Sequence, residues 1–291
     1  GAGIGTGSDF PLNRARTAEL LGFDGVCDNV RDANAGRDFV IESLSAIVIL
    51  MLNVASATDT IYIFCSNEFN FVEIADRYCG SSSIMPQKKN PHSLMEVAET
   101  ASQLSGALGA MMTNARSISG SVKSALQNFD KTASALRLWA GILSTLTVNK
   151  ETMRKRTMDF WALATDLAGA IVRERNLSWR TAHQITAILV RKALEQGKQA
   201  LDIDSEFLDQ AAFEYIGKPV GLGNQRIREV LDPLRAVEAR TLVGGTAPAE
   251  VKRQIDGCFA RLQRDSETLA RKKQNLADAA ARLERAIDAI I

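Results

Sequence analysis

Histidine is the scarcest chemistry-bearing residue in this chain, with only His92 and His183 among 291 residues. Cysteine is nearly as sparse. Cys27, Cys65, Cys79 and Cys258 show no C-x-x-C spacing, which argues against a zinc site or a disulfide framework. No resident metal or cofactor is expected, and unpaired thiols fit a reducing, cytoplasmic setting. An excess of charge of one sign is also missing, because 35 basic residues face 34 acidic ones. That balance leaves nothing to draw nucleic acid or an anionic membrane surface. Aromatic residues make up 6% and form no interleaved stripe of the kind that stacks on bases. Strand-like alternation is rare, and there is neither a fixed-period repeat nor a low-complexity segment.

What is present is helix-forming sequence, with 46% hydrophobic residues to fill a core. Residues 37–67 contain no proline or glycine and are apolar almost all round from Leu44 to Leu52. A helix of that length is roughly 45 Å long. Asn53, Ser56, Thr58, Asp59 and Thr60 interrupt the apolar run before the length of a membrane span. A helix greasy on every side then belongs in the middle of a large bundle, which implies subunit association.

A second long helix is expected over about 93–115, lined with small residues such as Ala98, Ala101, Ser105 and Gly109 that allow close approach. After a break around 117–124, a third is expected over about 128–146. Beyond Lys150 the helices shorten, to about 161–174, 178–196, 204–215 and 226–239, the last broken by Pro233. Pro248 starts a charge-rich closing helix over about 249–289, whose mixed charges suggest a solvated outer face. Residues 24–36 read as an irregular connection. The fold class is all-α, with a long-helix domain over 1–149 and a smaller helical domain over 150–291.

One stretch serves no core: Gly80-Ser81-Ser82-Ser83-Ile84-Met85-Pro86-Gln87-Lys88-Lys89-Asn90-Pro91. Glycine and serines supply a pliable backbone whose amides can gather an anion. Lys88 adds a cation and Asn90 an amide. A serine hydroxyl can carry a proton if amide dipoles or an ammonium stabilise its alkoxide. Read blandly, the same residues make a serine-rich surface loop ahead of a helix capped by Ser93.

The string S-S-I-M-P-Q-K-K-N-P resembles the signature of the fumarase/aspartase superfamily, most closely its argininosuccinate lyase branch. The likeness continues through Arg37-Asp38-Phe39-Val40, Asn67-Glu68-Phe69, Asn149-Lys150, Ala164-Thr165-Asp166-Leu167, Ala182-His183 and Gly244-Gly245-Thr246-Ala247. It implies a lyase that takes a proton from the carbon beside a carboxylate and expels an amine, releasing fumarate. Ser82 matches the family's catalytic serine, with Ser81 and Ser83 supplying loop contacts and Lys88 and Asn90 holding the charged intermediate. For Ser83 a purely structural role is slightly favoured. The resemblance also implies a homotetramer of shared active sites acting on a small dicarboxylate-type substrate, and an N-terminal segment, carrying a Thr-His pair, that lies outside this chain.

Two positions depart from the branch. Where it commonly has a glutamate five residues after the signature asparagine, this chain has Met95, with Glu96 next. Aligned on Asp130-Lys131, the run 123–131 keeps Lys131 but has Asn128 for a glutamine and Lys123 for a tyrosine. An ammonium there is unfavourable near a guanidinium and suits a more acidic leaving group. Three readings therefore stand: argininosuccinate cleavage, cleavage of another N-succinyl amine or aminocarboxylate, and a non-catalytic scaffold homologue. His92 and His183 read as structural residues.

Overall fold

A computed structural model describes residues 3–115, 123–159 and 161–290. Helices dominate, and the strands among the described residues form one two-residue pair. The chain divides into two compact units, residues 1–149 with 266–291, and residues 150–265.

The first unit contains α1 (Arg14–Leu21), α2 (Val30–Ala35), α3 (Asp38–Phe64), α4 (His92–Ala115) and α5 (Lys123–Ser144), with strands β1 (Val72–Glu73) and β2 (Thr147–Val148). Helix α4 buries Leu94, Val97, Ala101, Leu104 and Met111, a spacing of three and four that keeps one side toward its neighbours. Opposite stand Val40, Leu44, Val48 and Met51 of α3. Each large side chain fully buried in this way contributes about 1.5–3 kcal/mol.

Helix α3 is long and apolar enough, by length and composition, to cross a membrane, contrary to the expectation that its polar residues cut the run short. Three of those residues, Asn53, Thr58 and Thr60, bond back to carbonyls of the same helix. Asn53 Nδ2 donates to the Ile49 carbonyl at 2.9 Å and Thr58 Oγ1 to that of Val54 at 2.8 Å, four residues back in each case. Its packing against α4 and α5 makes it a bundle helix.

The second unit holds α6 (Lys150–Asp159), α7 (Ala164–Arg175), α8 (Trp179–Glu195), α9 (Ser205–Ile216), α10 (Asn224–Val230), α11 (Pro233–Glu238) and the start of α12 (Pro248–Asp288). Its core gathers Leu167, Ile171, Ile185, Leu189, Leu208 and Ile227. Ser178 caps α8 by accepting from Thr181 N at 3.1 Å, and Asp204 caps α9 by accepting from Phe207 N at 2.8 Å.

The division at 149/150 is accompanied by one difference from the expected domains, since the end of α12 groups with the first unit. The cause is local packing. Gly22, which ends α1 at φ 76°, lies where a Cβ would come within 2.8 Å of the Ala279 Cβ, and Ala279 is buried. Within the expected irregular connection, α2 forms because Asn29 Oδ1 accepts from Arg31 N at 2.8 Å.

Candidate active site

Both stems of the serine-lysine loop are fixed in one core. Ile74 before it and Leu94 after it pack together with Ile142 of α5, and Tyr78 and Cys79 lie against the same cluster. Strand β1 pairs with β2 in the register Val72 to Val148 and Glu73 to Thr147, which ties the incoming chain to the end of α5. Tyr78 rests over Gly141, where a Cβ would overlap its hydroxyl.

The loop closes on itself at an isolated bridge. Gly80 N donates to the Asn90 carbonyl at 2.7 Å, and Asn90 N returns the bond to Gly80 at 3.1 Å. Between these ends every residue but Ser82 is exposed, Ile84 at 88%. A further turn forms where Lys88 N donates to the Met85 carbonyl at 3.0 Å.

Ser82 is half-buried. Its Oγ accepts from two main-chain amides, Met85 N at 3.0 Å and Ile84 N at 3.3 Å. Two N–H dipoles aimed at one oxygen favour its negatively charged form, which is what a serine acting as a base requires. Ser81 and Ser83 are exposed.

On the other limb Lys88 and Asn90 help to wall a recess of about 590 Å³. Its other walls include Tyr62 from α3, Asn67 and Asn70 from the turn after it, and Glu73 from β1. Asn70 adopts φ 46° and is held by Asn149, whose Nδ2 donates to its carbonyl at 3.1 Å and to its Oδ1 at 3.0 Å. Ser81, Ser82 and Ser83 are not part of this wall. Cys65 and Cys79 also line it, and burial raises both thiols above their ordinary value, which keeps them neutral.

The two lysines differ. Lys89 Nζ lies 2.6 Å from Asp76 Oδ1 and 2.9 Å from Glu73 Oε1, and bonding to these carboxylates, Asp76 first, raises its pKa. Lys88 is exposed and, among the described residues, has no carboxylate at ion-pair distance.

The other predicted contacts lie apart from this recess. Lys131 lines a second one of about 410 Å³ between α4 and α5, with Glu96, Glu99 and Asp130. Asn128 is buried at 9% exposure, and its carbonyl accepts from Thr132 Oγ1 at 2.7 Å. Lys123 opens α5, but its side chain lies outside the described residues. Met95 is 52% exposed, while Glu96 lines the second recess together with Lys131. Sequence reasoning missed Glu73, Asp76, Asn67 and Asn70 as site neighbours. The turn residues Asn67 and Asn70 gave a local signal; the carboxylates gave none, because only the fold brings them to Lys89.

Comparison with known proteins fits this geometry. Residues 1–106 match a family model described as lyase, and residues 161–238 one described as argininosuccinate lyase C-terminal. Argininosuccinate lyase from Methanosphaera stadtmanae is 38% identical over 260 residues, which covers 86% of this chain and 56% of that protein. Argininosuccinate lyase 1 from Shouchella clausii is 35% identical over 292 residues, covering 95% and 59%. A solved structure of an EDDS lyase variant with bound fumarate superimposes with a TM-score of 0.90 at 32% identity, over 100% of this chain and 60% of that one. The chain thus spans under two thirds of the length of each of these relatives. With the loop, the long-helix unit and the small helical unit all matched, the chain belongs to the fumarase/aspartase superfamily, in its argininosuccinate lyase branch.

Proposed function

We propose that the protein containing this chain is a carbon–nitrogen lyase that eliminates an amine from an N-substituted aspartate and releases fumarate. In this reading Ser82 removes the proton from the carbon beside a carboxylate, and the resulting charge spreads into that carboxylate as a dianion. Lys88 supplies a cation to it and Asn90 an amide donor, with Ser81 and Ser83 contributing loop amides or hydroxyls. The observation that carries the proposal is the pair of amides donated to Ser82 Oγ within an exposed loop.

Argininosuccinate is the substrate best supported, given the 33–38% identity to proteins of that name, which would place the reaction in arginine biosynthesis. A second reading, an N-succinyl amine or aminocarboxylate, is favoured by Lys123 and Asn128 in the 123–131 run and by the overlay on EDDS lyase. Steady-state assay of the complete protein with both substrate types, following fumarate absorbance, separates the two. Ser82→Ala is expected to lower kcat by about 10²–10⁴, the usual contribution of a proton-transfer group. Unchanged turnover in that variant would remove the proposed base and favour the scaffold reading.

A cytoplasmic homotetramer with sites shared between subunits completes the proposal. Its support is the apolar surface that α3 leaves uncovered, including Ile49 at 61%, Leu52 at 51% and Ile63 at 51% exposure. Lys131 and Glu96 would then act at another part of a shared site, through contacts that one chain alone does not make.

A further inference from the structure

We infer that Lys89 is a positioning residue: it clasps the second limb of the loop and offsets one of the two carboxylate charges of Glu73 and Asp76, while Lys88, among the described residues, keeps no carboxylate partner. The clasp is a geometric observation; its consequence for anion binding rests on the lyase reading above.

Three fixed points meet at this ammonium. Glu73 is held in β1 by its pairing with Thr147. Asp76 begins the short 3₁₀ turn Asp76–Tyr78, whose last residue is seated over Gly141. Lys89 itself is one residue from the Gly80–Asn90 bridge. Backbone ordering on both sides is therefore already done by the fold, and the ion pairs need to order only three side chains. Exposed pairs taken singly contribute little, but here two carboxylates share one ammonium with good geometry.

The charge count gives the clasp a second effect. Glu73 and Lys89 both wall the recess. Glu73, Asp76 and Lys89 together carry a net charge of −1, and removing the ammonium leaves −2 at the place where a dicarboxylate must enter. That field opposes the one from Lys88, the next residue along the chain. The two consecutive lysines thus have separate duties, one saturated by protein carboxylates and one unsaturated.

The test uses the full chain with Lys89→Met, which keeps the aliphatic length and removes the charge, and a triple variant that adds Glu73→Gln and Asp76→Asn. Hydrogen exchange of the 81–88 amides should quicken about threefold in both, as expected for losing a weak ion-pair network. Fumarate is the binding probe for the complete protein. At low ionic strength its Kd should rise about three- to tenfold in Lys89→Met, through unscreened repulsion, and return toward the wild-type value in the triple variant. Unchanged exchange overturns the clasp. Failure of the triple variant to restore fumarate binding overturns the neutralising role, since Lys89 would then touch the anion directly. A wild-type protein that releases no fumarate from any N-substituted aspartate overturns the lyase reading and leaves the exchange result standing.

Discussion

At Gly80 the missing side chain matters, because a Cβ there would overlap the His92 imidazole. The ring sits at the base of the loop, directly beside the bridge between Gly80 and Asn90. Gly80→Ala should force the ring or the bridge to move and lower stability by about 1–3 kcal/mol, the usual effect of overpacking. Adding His92→Ala should recover most of that loss in urea unfolding; equal losses in the single and double variants would place the strain elsewhere. His92, a structural residue by sequence, is thereby given a specific neighbour that its position in the chain did not reveal. Ser82 was legible from motif alone, but the two amides that favour its charged form were not, since they arise from the turn the loop adopts.

Glu250 gives a second residue-level prediction. Its carboxylate accepts from Arg253 Nε and Nη2, from the Gly244 main-chain amide and from the Gln254 side-chain amide. The Arg253 bonds first, and the Gly244 amide next, hold its pKa down to about 2 from the ordinary 4.5. A depressed carboxylate contributes stability above its unfolded pKa and loses it as pH falls toward the folded one. Tm should therefore drop between about pH 4.5 and 2 in the wild type, and this component should be absent in Glu250→Gln. Parallel Tm profiles for the two proteins would count against the ion pair.

Among the elements, α4 connects the loop to the bundle. Leu94 is fully buried two residues into the helix, against Ile74 and Ile142. Leu94→Ala is expected to cost about 2–5 kcal/mol, as a cavity in a core that cannot collapse. Hydrogen exchange should show the loop amides opening along with the start of α4. A loss below ~1 kcal/mol would mean that the loop stems are not anchored there.

The long helices were readable from their unbroken apolar and small-residue runs, and caps such as Ser178 and Asp204 mark the starts of shorter ones in the second unit. The closing helix was read less completely. Its charges suggested a solvated face, yet Ile255, Leu262, Leu269 and Leu276 recur every seven residues and stay 48–60% exposed, an apolar stripe that the charges conceal. Helix α2 was missed because six residues carry too little periodicity to register, and only its Asn29 cap announced it.

For the whole molecule, the proposed homotetramer predicts that α3 is covered by other subunits. Replacing Ile49 and Leu52 together by glutamate should shift the complete protein to smaller species in sedimentation velocity. An unchanged sedimentation coefficient would exclude α3 from the interface. Each substitution puts a charge on an exposed apolar position, so the folded subunit should tolerate it better than the assembly does.

The sequence by itself determined the all-α class, the long helices of the first unit and the loop that carries Ser82, Lys88 and Asn90, because apolar runs, caps and a contiguous motif are local properties of a chain. Only the tertiary structure decided that Lys89 meets Glu73 and Asp76, that Lys131 and Glu96 share a separate recess, and that the end of α12 belongs with the first unit. Those arrangements join residues from 13 to 257 positions apart, and what joins them is packing between elements: a seat at Gly141 for Tyr78, a gap at Gly22 for Ala279, and a two-residue strand pair that brings Glu73 beside the loop.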